Sequence, residues 1–332
     1  MSTKLKRQRR VGIIGTGYYL PPRKLTNADL EKLVKTTDEW ITTRTGIKER
    51  RIADDDVAVS DLAVEAAERA LKKAKLKAED VELLIVATIT PDMLFPSTAC
   101  MVQAKLGLTK AACFDISAAC SGFIYAIATA EKFIKAGAYK NAVVVGGEKL
   151  SCITDWKDRS TCILFGDGAG ACVLGPVRSG GILSTHLGSD GKSAGLLELP
   201  AGGSRMPASK ETVKNRLHYL KMSGSELFKI AVRVMAGAAN KAIEMAGLKC
   251  SQIDCIIPHQ ANIRILNAVA KKIGLGPDKV YLNIERYGNM SSASTAVALA
   301  EAVERRRIKK GDIVVLDAFG AGLTWGAIVI KW

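Results

Sequence analysis

The chain repeats itself, and that repetition restricts its fold more than any other feature. The apolar run Val81–Ala87 (VELLIVA) is answered by Ile253–His259 (IDCIIPH), and Ala142–Gly147 (AVVVGG) by Ile313–Gly320 (IVVLDAFG). Between these paired runs each half opens a helix pattern with small residues, SAACSGF at Ser117–Phe123 and NMSSAST at Asn289–Thr295. Each half then closes on a glycine-rich turn and strand, FGDGAGACVL at Phe165–Leu174 and FGAGLTWGAIVI at Phe319–Ile330. The shared order implies a duplicated α/β unit with its junction near residues 174–180. It divides the chain into a basic tail (1–10), a first half (11–175) and a second half (176–332).

Local patterns agree with that plan. Continuous apolar runs such as VELLIVATIT mark strands buried on both faces. Ser60–Lys75 sets Leu62, Ala66, Ala67, Ala70, Leu71 and Ala74 on one helical face, with Ser60 as the expected cap. Alternating strands and helices predict sheets covered by helices. The segment Ser189–Met222 is rich in Gly, Pro, Ser and Lys, and reads as a surface excursion that roofs a site or builds an interface.

Composition removes several function classes. Of 332 residues, 48% are hydrophobic and 24% charged, which excludes long disorder. No apolar run reaches the ~18–20 residues that cross a bilayer. Lys4–Arg10 followed by VGIIGTG imitates a signal peptide, but Gly15, Thr16 and Gly17 interrupt the apolar part and no cleavage pattern follows. Val11–Ile14 is therefore expected to be a first strand, and the protein to be cytoplasmic without membrane insertion. Lys and Arg number 48 against 33 Asp and Glu, a balance that suits polyanionic partners. Aromatic residues are only 5% and no nucleic-acid signature accompanies the charge, so nucleic acid is disfavoured. The eight cysteines form no CxxC pair, and His186, His218 and His259 lie far apart, so no metal site is expected. After Gly15 and Gly17 a dinucleotide fingerprint would need a third glycine where Leu20 stands, and these glycines read as tight turns.

Three junctions carry chemistry. Cys120 follows the strand ACFDI and precedes the helix pattern SGFIYAIATAEKFI. At a helix N-terminus unpaired amides and the dipole favour a thiolate, so a lowered pKa is expected of it; tight packing beside Ala118 and Ala119 is the competing reading. His259 ends the strand IDCII, at the sheet edge where open α/β folds bind ligands. Asn289 stands before the second-half helix, at the place matching Cys120, where a plain N-cap is the ordinary alternative.

Six motifs then resemble β-ketoacyl-acyl carrier protein synthase III: DEWITTRTGI (Asp38–Ile47), FDISAACSGF (Phe114–Phe123), FGDGAGA (Phe165–Ala171), PHQANIR (Pro258–Arg264), YGNMSSAS (Tyr287–Ser294) and GAGLTWG (Gly320–Gly326). The resemblance runs from about Val11 to the C-terminus. It implies a thiolase-like fold of five α-β-α-β-α layers, usually homodimeric, and an enzyme that needs no cofactor. It also implies that acyl-CoA acylates Cys120 and that decarboxylative condensation with malonyl-acyl carrier protein follows. The resemblance assigns Cys120, His259 and Asn289 as catalytic, with the Cys120 and Gly322 amides as oxyanion hole. CoA contacts would be Trp40 and Arg159 around the adenine, Arg44, Thr45 and Asn262 along the arm, and Met222, Gly224 and Phe228 in the tunnel. Phe95 would border the acyl pocket, its own or a partner copy's. Gln260, Ala261, Asn262, Ile263, Arg264, Lys271 and Lys272 would form a basic patch for acyl carrier protein. Papain-like hydrolases share the Cys, His, Asn order, but their CGSCW-like context and unduplicated plan do not match. Two rivals remain: a relative that passes the acyl group to another acceptor, and a non-catalytic anion-binding protein.

Overall fold

The computed structural model describes residues 9–332, so the basic tail lies, save its last two positions, outside the described residues. The principal strands are β1 (Val11–Tyr19), β2 (Leu83–Ala87), β3 (Ala112–Ile116), β4 (Ala142–Lys149), β5 (Asp167–Pro176), β6 (Gly181–Ser189), β7 (Cys255–Pro258), β8 (Ile313–Gly320) and β9 (Thr324–Lys331). They form a sheet in the order β1-β5-β4-β2-β3 and a second in the order β7-β8-β9-β6. In the first, β1 and β4 are antiparallel to β5, while β2 runs parallel to β4 and β3. In the second, β6 and β8 are antiparallel to β9, while β7 runs parallel to β8. The order β6-β9-β8-β7 thus repeats β1-β5-β4-β2 in sequence and sense, and β3 is an addition to the first sheet.

The main helices are α1 (Asp38–Thr45), α2 (Val59–Ala74), α3 (Thr98–Leu106), α4 (Gly122–Ala136), α5 (Gly224–Met245), α6 (Ile263–Ile273) and α7 (Ser292–Glu304). Helix α2 covers the outer face of the first sheet and α5 that of the second, while α4 and α7 lie between the sheets. The middle layer is thin because its residues are small. Ser292 to Ala302 of α7 are all buried, and most are Ala, Ser or Thr. A Cβ on Gly170 would stand 2.5 Å from the backbone of α7 at Ala296 and Val297. Helix α2 makes the same close approach from outside, since a Cβ on Gly17 would lie 2.5 Å from Ala66 O and Ala70 N. Backbones meet there with no room for a side chain.

One boundary differs from expectation. Helix α2 starts at Val59 with Ala58 as cap, and Asp61 accepts from Ala58 N. Ser60 lies inside the helix because Asp92 takes both its amide and its hydroxyl, at 2.9 and 2.5 Å. The excursion 189–222 is largely irregular, with a two-residue pairing of 197–198 with 221–222 that brings Leu197 beside Met222.

Gly17→Val should lose about 3 kcal/mol of stability, because overpacking at a backbone contact has no flexible neighbour to yield. Urea unfolding of the variant beside the parent chain measures it.

Candidate active site

The carboxyl ends of both sheets converge on one cavity of about 150 Å³, where Cys120, His259 and Asn289 meet. Each arrives from a different junction. Cys120 sits in the 3₁₀ turn Ala119–Ser121, between β3 and α4, and is 8% exposed. The preceding Ala119 has φ +44°, a left-handed conformation unusual for a residue with a Cβ. Gly320, ending β8, faces this turn so closely that a Cβ would lie 2.6 Å from Cys120 N. Only glycine leaves that amide accessible.

His259 follows β7, and its amide donates to Asp317 O at 2.7 Å. Asn289 is pinned by its backbone, with N donating to Leu164 O at 2.9 Å and O accepting from Gly166 N at 3.0 Å. Its side-chain Oδ1 accepts from Ser291 N at 2.9 Å, which leaves the Nδ2 donor for the cavity.

Burial sets the protonation states. It pushes the Cys120 thiol up to about 12, against help from the Ser291 hydroxyl. This overturns the expected lowering: α4 begins two residues later, and desolvation of the sulfur outweighs the amides. Burial also pushes His259 down to about 3. The resting pair is therefore a thiol and a neutral imidazole.

The remaining expected residues divide. Met222, Gly224, Phe228, Ala261 and Asn262 line the cavity with the triad. Asn262 also caps α6, accepting from Arg264 N at 2.9 Å and donating to Arg44 O at 2.9 Å. Trp40 carries two guanidinium groups over its ring, Arg44 at 4.4 Å and Arg159 at 4.7 Å, so these three form a stack outside the cavity. Arg264, Lys271 and Lys272 are exposed along α6, and Ile263 is half-buried.

Three expectations need correction. Gly322 is exposed and does not line the cavity; Gly320 is the member of that turn lying against Cys120. Gln260 is fully buried, donating to Pro258 O and Tyr281 O and accepting from Asn283 N, so it cannot belong to a surface patch. Thr45 is buried, with its one proton given to Ile41 O and its oxygen accepting from Ile47 N, so it offers no donor and no exposed atom to a ligand. Phe95 is 84% exposed and does not line the cavity of its own chain, so only the expected reach toward a partner copy is left to it. The apolar lining also includes Leu227, Ala231 and Met235, which sequence reading did not single out. Their spacing of four along α5 is the signal that could have found them. Among the described residues no cluster of His, Cys, Asp and Glu suits a metal ion.

Gly320→Ala should slow reaction at Cys120 by about a hundredfold, since the methyl would displace the turn that holds the sulfur and its amide. Stopped-flow alkylation of the thiol by iodoacetamide, set beside a thermal melt, separates this from unfolding.

Comparison with known proteins finds relatives over nearly the whole chain. Residues 114–191 match the family model of 3-oxoacyl-[acyl-carrier-protein (ACP)] synthase III, and residues 243–332 match the model of its C-terminal part. The beta-ketoacyl-[acyl-carrier-protein] synthase III of Caldanaerobacter subterraneus subsp. tengcongensis is 60% identical over 322 residues, covering 97% of each chain. The crystal structure of 3-oxoacyl-[acyl-carrier-protein] synthase III from Aquifex aeolicus VF5 superposes with a TM-score of 0.90 at 49% identity, covering 97% of this chain and 100% of that one. The priming beta-ketosynthase of the R1128 polyketide biosynthetic pathway superposes with a TM-score of 0.92 at 33% identity, covering 100% and 99%.

Proposed function

The chain belongs to the 3-oxoacyl-[acyl-carrier-protein] synthase III family, acyltransferases of thiolase-like fold, and from that premise we propose that Cys120, His259 and Asn289 carry its reaction. It catalyses the initiating condensation of fatty acid synthesis, joining an acyl group from acyl-CoA to a malonyl unit on acyl carrier protein. The observation that carries the residue assignment is the meeting of a thiol, a neutral imidazole and a side-chain amide in one cavity.

In the first half-reaction the Cys120 sulfur attacks the acyl-CoA thioester. The thiol proton leaves with coenzyme A, so the exchange is proton-neutral overall. The developing oxyanion is held by the Cys120 amide and by that of the Gly320–Ala321 peptide, which takes the place first expected of Gly322. In the second, malonyl-acyl carrier protein loses carbon dioxide, and its thioester oxygen becomes an enolate. A neutral His259 N–H and Asn289 Nδ2–H donate to that oxygen, stabilising charge that exists only from the transition state onward. The enolate carbon attacks acyl-Cys120, and the sulfur leaves and regains a proton. Every step is redox-neutral, so no redox cofactor is required.

The surroundings fit large acidic substrates. The stack of Trp40, Arg44 and Arg159 offers cation and π surface to an adenine and its phosphates, provided Arg159 swings off the ring. Arg264, Lys271 and Lys272 beside Ala261 and Ile263 suit an acidic carrier protein. Met93, Leu94 and Phe95 expose a contiguous apolar stretch beside β3, whose outer edge is unpaired in the sheet. A homodimer joined there would cover both and bring Phe95 toward the partner's acyl pocket. The matching strand orders support 11–175 and 176–332 as the two halves of a duplicated unit. No helix among the described residues is long and apolar enough to cross a membrane, in keeping with a cytoplasmic enzyme.

Intact mass spectrometry tests the assignment. Acetyl-, branched and longer acyl-CoAs should add one acyl mass to the parent chain and none to Cys120→Ser, and malonyl carrier protein should discharge it. His259→Ala and Asn289→Ala should keep acylation and lose about a hundredfold or more in decarboxylation. Equal losses in both halves would overturn the division of roles, and an acyl-enzyme that malonyl carrier protein cannot discharge would favour another acceptor.

A pH prediction follows from the imidazole. With His259 held down to about 3, it stays a neutral donor throughout the acid range. The decarboxylation rate of acyl-enzyme should therefore show no acid limb near the ordinary histidine value of about 6.5. Such a limb, absent in His259→Ala, would refute the neutral-donor role.

A further inference from the structure

Behind Cys120 lies a carboxyl group that the reaction scheme does not use. Glu148 is the penultimate residue of β4 and is fully buried. Its Oε2 accepts from Thr90 Oγ1 at 2.7 Å, Thr88 Oγ1 at 3.1 Å and Ile89 N at 3.1 Å. Its Oε1 lies 3.0 Å from Ser292 Oγ, the first residue of α7. The Ser291 hydroxyl is buried near this carboxyl and the Cys120 sulfur and has no hydrogen-bond partner of its own. Ser291 itself has φ +46° and ψ −123°, a strained conformation of the kind that concentrates at functional sites.

Two observations bear on its charge. Among the described residues no cation pairs with Glu148; the neighbouring Lys149 turns its Nζ away, to the carbonyls of Asp54, Asp55 and Val57. The titratable groups that feel it are two thiols, Cys120 and Cys152. The second observation is a proton count. Ser292 Oγ is also 2.8 Å from Ala87 O, which can only accept. A serine has one proton and cannot give it to both oxygens, whereas a neutral carboxyl at Oε1 satisfies both contacts at once, with the serine proton on Ala87 O. Ser292 Oγ then meets Oε1 as an acceptor, so a hydrogen bond there needs a proton on the carboxyl.

We propose that Glu148 is a positioning residue that works as a neutral carboxylic acid, donating Oε1–H to Ser292 Oγ. That bond ties the ends of β2 and β4 to the first turn of α7, and so fixes Asn289 and Ser291 against Cys120. Neutrality matters because a carboxylate at this depth would repel the thiolate that each half-reaction passes through. The inference rests on Cys120 and Asn289 acting as proposed, but its two deciding probes, thiol alkylation and the infrared band, need no substrate.

Glutamine is the isostere of a protonated glutamate: its Nε2 donates to Ser292 while its Oε1 accepts from Thr88, Thr90 and Ile89. Glu148→Gln should therefore leave the pH midpoint of Cys120 alkylation by iodoacetamide within about 0.3 of the parent, and should remove a protonated-carboxyl carbonyl band from the infrared spectrum. It should also recover most of the decarboxylation that Glu148→Ala loses, a loss expected at tenfold or more, on the order seen when a supporting contact lets a site drift. A midpoint lower by about one unit or more in Glu148→Gln would mean that a negative charge had been removed, and would overturn the proposal. So would an unchanged carbonyl region. If Glu148→Ala does not fold, these two readings of Glu148→Gln decide alone. Failure of acyl-CoA to label the parent chain would sink the functional reading but leave both readings intact.

Discussion

The site depends on how closely helix α7 can lie on the first sheet. A Cβ at Gly146 would stand 2.7 Å from Ser292 O, and one at Gly170 2.5 Å from the backbone at Ala296. These contacts let a single layer of helices separate the sheets, so that junctions from both reach one cavity. A methyl group at either glycine would push α7 outward, and Asn289 lies at its leading end. Gly320 applies the same rule to Cys120, holding β8 against its turn. Packing density, more than any ion pair, sets the distance between the groups that react.

That density also determines the electrostatics. Removing water raises the Cys120 thiol and lowers His259, so neither is charged at rest. A neutral site suits a reaction whose charge appears only as an oxyanion and then an enolate, because fixed N–H dipoles act strongly where water is excluded. The formal charge of +15 therefore belongs outside the cavity. Arg264, Lys271 and Lys272 are exposed on α6, and Arg44 and Arg159 on the Trp40 stack, where they can attract an acidic substrate without perturbing the thiol.

Much of this was legible in the sequence, and the exceptions share a cause. Apolar runs such as Leu83–Ala87 and the alanine face of α2 announce themselves because their period is local. The paired junctions holding Cys120 and Asn289 were visible through duplication. What escaped were polar residues whose partners lie far along the chain. Gln260 looked like surface because it sits in PHQANIR, yet its amide is spent on Tyr281 O and Asn283 N. Ser60 looked like a cap until Asp92 took its hydroxyl. The thiol's raised pKa was invisible for the same reason, since burial is a property of the assembled layers.

Duplication explains why the site has two kinds of group. The central helices α4 and α7 begin at turns in corresponding places, and each turn holds a residue with a Cβ at positive φ, Ala119 at +44° and Ser291 at +46°. Such residues cost about 1–3 kcal/mol each and persist only where surrounding packing dictates them. At the first turn the strain aims a sulfur and its amide into the cavity. At the second it directs Ser291 N back to Asn289 Oδ1, turning the amide donor inward. One backbone device, used twice, thus presents a thiol from one half and a side-chain amide donor from the other, as the proposed roles require. The reaction needs both on opposite sides of the same bond, and a duplicated fold whose sheet ends face each other supplies that arrangement directly.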